Sequence, residues 1–299
     1  MRVTRLVDDY LFGWVLLAVA LGVAVPELAA IVRFSTPILA VMVGSVSLTL
    51  SASRFLSVDR SALARILLGH AAMPVVAFGV ARALGLSPGL TAGFVLLGAV
   101  TPELVTPTMT ALADGDTALA STALVIIGVG STLFTPLAVA ALLGAGLEID
   151  GWRIAESLAV AVVAPMAVAV GARTRWTDRV GRYDEYYTTV SAVMVVVIIG
   201  GVTAANADLI RGETGLLLSV GVGALAVNLA GYALGWVGTL SADGPVRVAS
   251  TLSVGMRDFA VAAALVTAAG FPASASLPAV LFGIVEMATS AFLARRFAE

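Results

Sequence analysis

Three ionisable residues stand where a chain this apolar has least reason to keep them. Arg257 and Asp258 are adjacent in Ala249-Ser-Thr-Leu-Ser-Val-Gly-Met-Arg-Asp-Phe259, inside an apolar run from Pro245 to Gly270. Glu103 lies in Thr101-Pro-Glu-Leu-Val-Thr-Pro-Thr108, inside another apolar run half a chain earlier. In a bilayer core such a charge costs roughly 2.5–3.5 kcal/mol, so it marks a solute or ion site, a proton relay or a buried ion pair. A guanidinium keeps its proton, whereas a carboxyl group can take one up and release it. Arg257 is therefore the candidate for a fixed positive charge, with Asp258 and Glu103 as counter-charges. Glu103 is the first candidate for proton exchange, followed by Asp258 and Glu286. The same residues also read as a structural ion pair that joins the two interruptions. The hydroxyls of Thr106, Thr108 and Thr110 are placed to touch a solute, although such groups also bond back to their own helix. His70 reads either as a member of a proton path or as a hydrogen bond to a neighbouring helix, and Asn228 as an interhelical hydrogen bond.

Other chemistries lack their residues. Cysteine and lysine are absent and His70 is the single histidine, so there is no thiolate site, no His-x-x-x-His zinc pair and no lysine for a nucleotide-binding loop. No nucleophile and base can be paired from this inventory. The expectation is a protein that is not an enzyme, uses no cofactor or metal centre and binds no nucleic acid.

The elements that hold these residues follow from hydropathy. With 60% hydrophobic and 12% charged residues and a mean hydropathy of +1.03, the chain is an integral membrane protein. Its apolar runs are continuous and not alternating, so they are helices and not barrel strands. About 20 apolar residues cross a hydrocarbon core. Ten spans are expected: Tyr10–Val25, Phe34–Ser51, Ala62–Leu84, Gly89–Ala113, Thr117–Gly144, Trp152–Ala172, Tyr186–Ala205, Gly215–Leu240, Val246–Gly270 and Ala273–Phe297. The first lacks a small-residue cleavage site and reads as a span, not a signal peptide. A cytoplasmic N-terminus leaves only Arg33, Arg82, Arg153 and Arg211 outside, and gathers Arg2, Arg5, Arg54, Arg60, Arg65, the Arg173–Arg182 cluster, Arg247, Arg295 and Arg296 inside. Both termini are thus expected in the cytoplasm, with the chain a multi-pass protein of the cell (plasma or inner) membrane.

The chain divides near Gly146–Gly151 into residues 1–147 and 148–299, with five spans each. Because five is odd, the second set runs in the opposite sense, and the interrupted fourth and ninth spans become equivalent elements of an inverted repeat. Broken helices meeting at the midplane are where secondary carriers hold solute and coupling ion. Pro102 and Pro107 disrupt the helical ladder around Glu103, and Gly255 loosens the ninth span ahead of Arg257. Unwound backbone at that depth needs protein or water around it, so the two interruptions should face each other.

At these residues the chain resembles the bile acid:sodium symporter family. Thr108-Met-Thr-Ala-Leu-Ala-Asp-Gly-Asp-Thr-Ala-Leu119 is similar to the family's segment after the first crossover. Leu252-Ser-Val-Gly-Met-Arg-Asp258 is similar to its ninth-helix motif, in which Glu-Val-Gly-Met-Gln-Asn is usual. Leu48-Thr-Leu-Ser51, Ala72-Met-Pro74 and Ser131-Thr-Leu-Phe-Thr-Pro136 also match, so the likeness runs along almost the whole chain. The resemblance implies ten helices: a panel domain from spans one, two, six and seven, and a core domain from three to five and eight to ten, with the broken fourth and ninth helices crossing in it. It also implies organic anions as cargo, commonly driven by two sodium ions. Carried over residue by residue, the family's Ser-Asn at the fourth-helix crossover falls on Thr106 and Pro107, and its fifth-helix ligands on Ala120 and Leu124. Its ninth-helix Glu falls on Ser253, its Gln on Arg257, and its third-helix Gln on Gly69. Both sodium sites would lack ligands here.

Together these readings give an all-α secondary carrier for a small organic anion, working by alternating access, with proton coupling or facilitation in place of sodium. The anion's carboxylate would meet Arg257 or the helix N-termini at the interruptions. The alternatives are a sodium-coupled symporter of bile-acid-like anions, a cation/proton antiporter using Glu103 and Asp258, and a non-transporting membrane sensor on a carrier fold.

Overall fold

A computed structural model describes residues 3–8, 10–50, 58–144 and 150–299. Arg2, Arg54, Ser51 and most of the expected divide at Gly146–Gly151 lie outside the described residues. Among them every regular element is helical. Helices α1 (Val3–Asp8) and α2 (Leu11–Ala24) lead through a 3₁₀ turn at Pro26–Phe34 into α3 (Ser35–Ser47). Next come α4 (Arg60–Ala83), α5 (Pro88–Ala99), α6 (Thr106–Leu112) and α7 (Thr117–Leu143). α8 (Gly151–Leu158) continues through a π turn at Ala159–Val163 into α9 (Ala164–Arg175), and α10 (Thr177–Gly181), α11 (Asp184–Ala204) and α12 (Ala207–Gly212) follow. The chain closes with α13 (Thr214–Gly238), α14 (Gly244–Gly255), α15 (Phe259–Ala268), a 3₁₀ turn at Ala273–Ser276 and α16 (Leu277–Ala298).

Eight of the described helical segments are long and apolar enough to cross a membrane: Pro26–Ser47, Arg60–Ala83, Thr117–Leu143, Gly151–Arg175, Asp184–Ala204, Thr214–Gly238, Gly244–Ala268 and Ala273–Ala298. The expected first and fourth spans are shorter. Tyr10–Val25 is the 14-residue α2, and Gly89–Ala113 is split into α5 and α6. The second rod begins at Pro26 and not at Phe34, because proline's fixed φ suits a first helical position. Polar Glu27 and Arg33 hide that turn from a hydropathy reading.

Caps decide where the rods start. The side chains of Asp59, Ser87, Asp116, Asp150, Asp243 and Asp258 accept from backbone N–H groups in the first turns of α4, α5, α7, α8, α14 and α15. Two packing groups result. In one, α11 lies against α2 and α3, and α3 against α9; in the other, α4 packs on α5, α7 and α13, and α13 on α14 and α16. Where α13 meets α14 the main chains nearly touch: a Cβ at Gly231 would sit 2.8 Å from the Cα of Gly255. The segment Gly244–Ala268 is 89% buried across its apolar window, against 28% for Arg60–Ala83. The expected ninth span is thus surrounded by protein, and its interruption does not face lipid.

Candidate functional site: the crossing of two interrupted helices

α5 ends at Ala99, and Val100 is extended (φ −73°, ψ 171°). The helix resumes only at Thr106, with Pro107 in the first turn of α6. α14 ends at Gly255, Met256 is extended (φ −83°, ψ 131°), and Asp258 starts α15 by accepting from Val261 N–H at 2.8 Å. The two interruptions meet main chain to main chain: Asp258 N–H donates to Thr101 O at 3.0 Å. Beside that bond the Thr106 hydroxyl reaches Met256 Sδ at 3.9 Å. Thr101, Thr106, Arg257 and Asp258 are fully buried. The expected face-to-face placement is therefore what the fold contains, and protein covers the unwound backbone.

The guanidinium of Arg257 is placed differently from expectation. Its Nη1 bonds to Nδ1 of His70 on α4 and donates to Val100 O at 3.3 Å. A guanidinium has no acceptor, so His70 accepts at Nδ1 and carries its proton at Nε2, which has no partner. Phe134 flanks the imidazole, with ring centroids 5.3 Å apart. Nε and Nη2 of Arg257 have no hydrogen-bond partner, and Arg257 forms no ion pair among the described residues. Neither expected counter-charge, Asp258 or Glu103, pairs with it. Asp258 follows Arg257 in the chain, but its cap position commits one carboxylate oxygen to Val261. Glu286 on α16 accepts from the backbone N–H of Arg257 at 3.2 Å, not from its side chain. One oxygen each of Glu103 and Asp258 is buried without a partner, as is the Ser253 hydroxyl on α14.

Two cavities abut the crossing. The larger, about 500 Å³, lies between α2 and α11 on one side and α6 and α16 on the other. Its charged lining residues are Glu103 and Glu286. The smaller, about 310 Å³, is bordered by Pro107, Asp184 and Glu185, and the two share Val105, Thr108 and Thr188. Neither Arg257 nor His70 lines either one. The ten singled-out residues thus divide. Glu103, Pro107, Thr108 and Glu286 border cavities, Arg257 and His70 form a buried pair outside them, and Thr106, Ser253, Gly255 and Asp258 build the crossing.

Residues 36–213 match the Sodium Bile acid symporter family. The chain belongs to that family. It is a multi-pass membrane transporter. Along 290 residues it is 28% identical to the "uncharacterized sodium-dependent transporter YocS" of Bacillus subtilis (strain 168), covering 95% of this chain and 89% of that one. Along 196 residues it is 26% identical to the "probable sodium/metabolite cotransporter BASS3, chloroplastic" of Oryza sativa subsp. japonica, covering 65% of this chain and 46% of the rice protein.

In this family member the second interruption has support that sequence reading found only in part. Asn228 on α13 donates to Gly255 O at 3.2 Å, satisfying a carbonyl that the end of α14 leaves without a helical donor. Its own carbonyl accepts from the Thr289 hydroxyl at 2.8 Å, and Tyr232 OH lies 3.3 Å from Thr289. Asn228 is the interhelical bond expected of it. Thr289 and Tyr232 were missed, although their spacing pointed to them: each lies one turn past a polar residue, Glu286 or Asn228, on the same helix face. Asn228→Val is expected to lower stability by about 1–3 kcal/mol, because Gly255 O would be buried without a donor. Thr289→Val should cost less. Thermal unfolding in detergent measures both, and an unchanged Tm for Asn228→Val would refute the support role.

Proposed function

We propose that the chain carries a small organic solute across a membrane by alternating access, with the crossing of the two interruptions as its centre. The observation that carries this reading is the 500 Å³ cavity pressed against the crossing, beside buried polar atoms that have no partner. A sensor built on a carrier fold would have its crossing filled by side chains. In this reading the eight long segments and the two shorter helices α2 and α5 make ten crossings. Residues 1–147 and 148–299 form repeats of opposite sense. The packing of α11 with α2, α3 and α9 supports a panel, and that of α4, α5, α7, α13, α14 and α16 supports a core. The cavity between the two groups is where sliding would open alternate faces. Arginine distribution supports both termini in the cytoplasm of a cell whose plasma or inner membrane holds the protein.

Two couplings remain, each with its own support. Both relatives are named for sodium, which favours sodium-driven symport over the sodium-free expectation. Arg257 favours the second, because a buried guanidinium would repel a cation placed beside it. Proton exchange at Glu103, or facilitation, would then serve. A cation/proton antiporter meets the same obstacle at Arg257. The deciding measurement is the Tm of the purified protein in sodium, potassium and choline chloride at equal ionic strength and two pH values. A ligand bound only by the folded state raises stability by roughly 2.7 kcal/mol at a hundred times its dissociation constant. A sodium-specific rise means that the protein still builds a sodium site, as sodium-driven symport requires. No sodium effect, with a pH response that Glu103→Gln removes, supports a carrier with a fixed arginine and a titrating acid.

A further inference from the structure

We propose that the hydrogen bond from Asn206 to Ser276 is a latch that holds shut the end of the molecule opposite the cavities. The proposal rests on the carrier reading above and names the contact that must part when that end opens. The cavities mark the open end. They are bordered by the start of α2 (Phe12), the start of α11 (Asp184, Thr188) and the second half of α16 (Ala291). Towards the other end the two packing groups touch. α15 begins at Phe259 in the cavity wall, and every residue from Phe259 to Val266 is buried. It packs on α5 and α16 of one group, and on α3, α11 and the turn at Pro26–Phe34 of the other, so it plugs the space between them.

The latch lies at the rim of that plug. Asn206 follows the last turn of α11, and Ser276 closes the 3₁₀ turn ahead of α16. Asn206 Nδ2 donates to Ser276 Oγ at 3.0 Å and to Val202 O at 2.9 Å, and the Ser276 hydroxyl donates to Ala273 O at 2.6 Å. The two carbonyls fix the sense of the bond. Val202 O needs a donor, so the amide presents its NH₂, and a hydroxyl committed to Ala273 O is left to accept. Asn206 is 4% exposed and Ser276 2%, so water has little access to replace either partner. The Arg173–Asp184 ion pair, by contrast, joins α9 to α11 within one group and resists no separation of the two. α15 itself is Phe-Ala-Val-Ala-Ala-Ala-Leu-Val-Thr-Ala, an apolar surface of mostly small side chains. Such a surface can slide against its neighbour without unlocking large side chains. The directional bond at the rim then sets the balance between closed and open. One hydrogen bond of ordinary net strength shifts a two-state ratio roughly two- to tenfold.

The chain has no cysteine, so two spin labels can be attached to the full-length protein at chosen places. Glu27→Cys is exposed on the turn ahead of α3, and Ala83→Cys is exposed at the end of α4. They put one label on each group at the latched end, where the α4–α5 connection abuts the Ser276 turn: a Cβ at Gly89 would lie 3.3 Å from Ser274 Oγ. Pulsed electron paramagnetic resonance in liposomes is expected to give a dominant short distance. Ser276→Ala and Asn206→Ala should each raise the ratio of a longer distance to the short one roughly two- to tenfold. The double variant should do no more than either alone, since both remove the same bond. Where Asn206→Ala does not fold, Asn206→Ser keeps a hydroxyl for Val202 O but falls short of Ser276, and should give the same rise. A lowered Tm with unchanged distances makes the bond a structural one only and overturns the latch, as does a double variant whose effects add. The two readings fail separately. Two distances in the parent that the variants leave in proportion keep the carrier and sink the latch, whereas a single distance in the parent and in every variant sinks the carrier as well.

Discussion

Arg257→Ala is expected to lose solute transport and to melt several degrees below the parent, whereas Arg257→Met is expected to be equally inactive but to melt no lower. The difference comes from opposing terms at one position. Arg257 is the bulkiest of the fully buried side chains, so truncation to alanine leaves a hole, which in a packed interior costs about 2–5 kcal/mol. His70 Nδ1 and Val100 O also lose their shared donor, at about 1–3 kcal/mol each if no water replaces it. Against this stands the relief of removing a charge whose Nε and Nη2 have no partners, a desolvation cost of several kcal/mol. Methionine keeps most of the volume and removes the charge, so the hole largely disappears from the sum while the relief remains. Arg257→Lys should not rescue transport, because a compact ammonium cannot reproduce the fork that reaches both His70 and Val100. Tm in detergent and solute uptake by proteoliposomes read the two effects separately. A parental Tm for the alanine variant would show that the guanidinium supports nothing.

Gly93→Ala is expected to reduce the yield of folded protein more than any other single methyl group added to α5. A Cβ at Gly93 would lie 1.9 Å from the backbone oxygen of Ala275, in the 3₁₀ turn ahead of α16. Backbone cannot rotate aside as a side chain does, so α5 must separate from that turn, and overpacking of this kind costs about 1–3 kcal/mol or more. Gly235→Ala should behave similarly, since its Cβ would fall 2.4 Å from Ser250 O between α13 and α14. Gly221→Ala is the control: nothing lies within 4 Å of its Cβ, and alanine favours the helix. Monodisperse elution and Tm for the three variants give the answer. Equal behaviour of Gly93→Ala and Gly221→Ala would mean that α5 and the turn are not held as close as described.

The membrane class, the two interruptions and their mutual approach were legible because each is a property of composition along one line. Apolar runs give spans, Pro102, Pro107 and Gly255 give breaks, and unwound backbone in a bilayer has no tolerated place except against protein. The family was legible at 108–119 and 252–258, and the family match supports it. What could not be read was rotation. Whether the side chain of Arg257 turns towards Asp258, Glu103 or His70 depends on how α4 is rolled against the crossing, and neighbouring positions in sequence carry no information on that. Hence the counter-charges were misplaced, His70 was left between two roles, and Thr289 was overlooked. The start of the second span was placed late for a different reason: Pro26 opens a turn in which Glu27 and Arg33 lower the hydropathy ahead of Phe34.

The bond from Asp258 N–H to Thr101 O joins the two halves of the chain through atoms that nearly every amino acid possesses. Side-chain replacement at either position leaves it intact, and only proline at 258 would delete the donor. The junction therefore does not depend on which side chains surround it, so a different set of charges around the crossing is compatible with the same main-chain bond. The main-chain junction and the side-chain chemistry are thus held in separate atoms of the same few residues, with the Asp258 carboxylate, which caps α15, the point where the two meet.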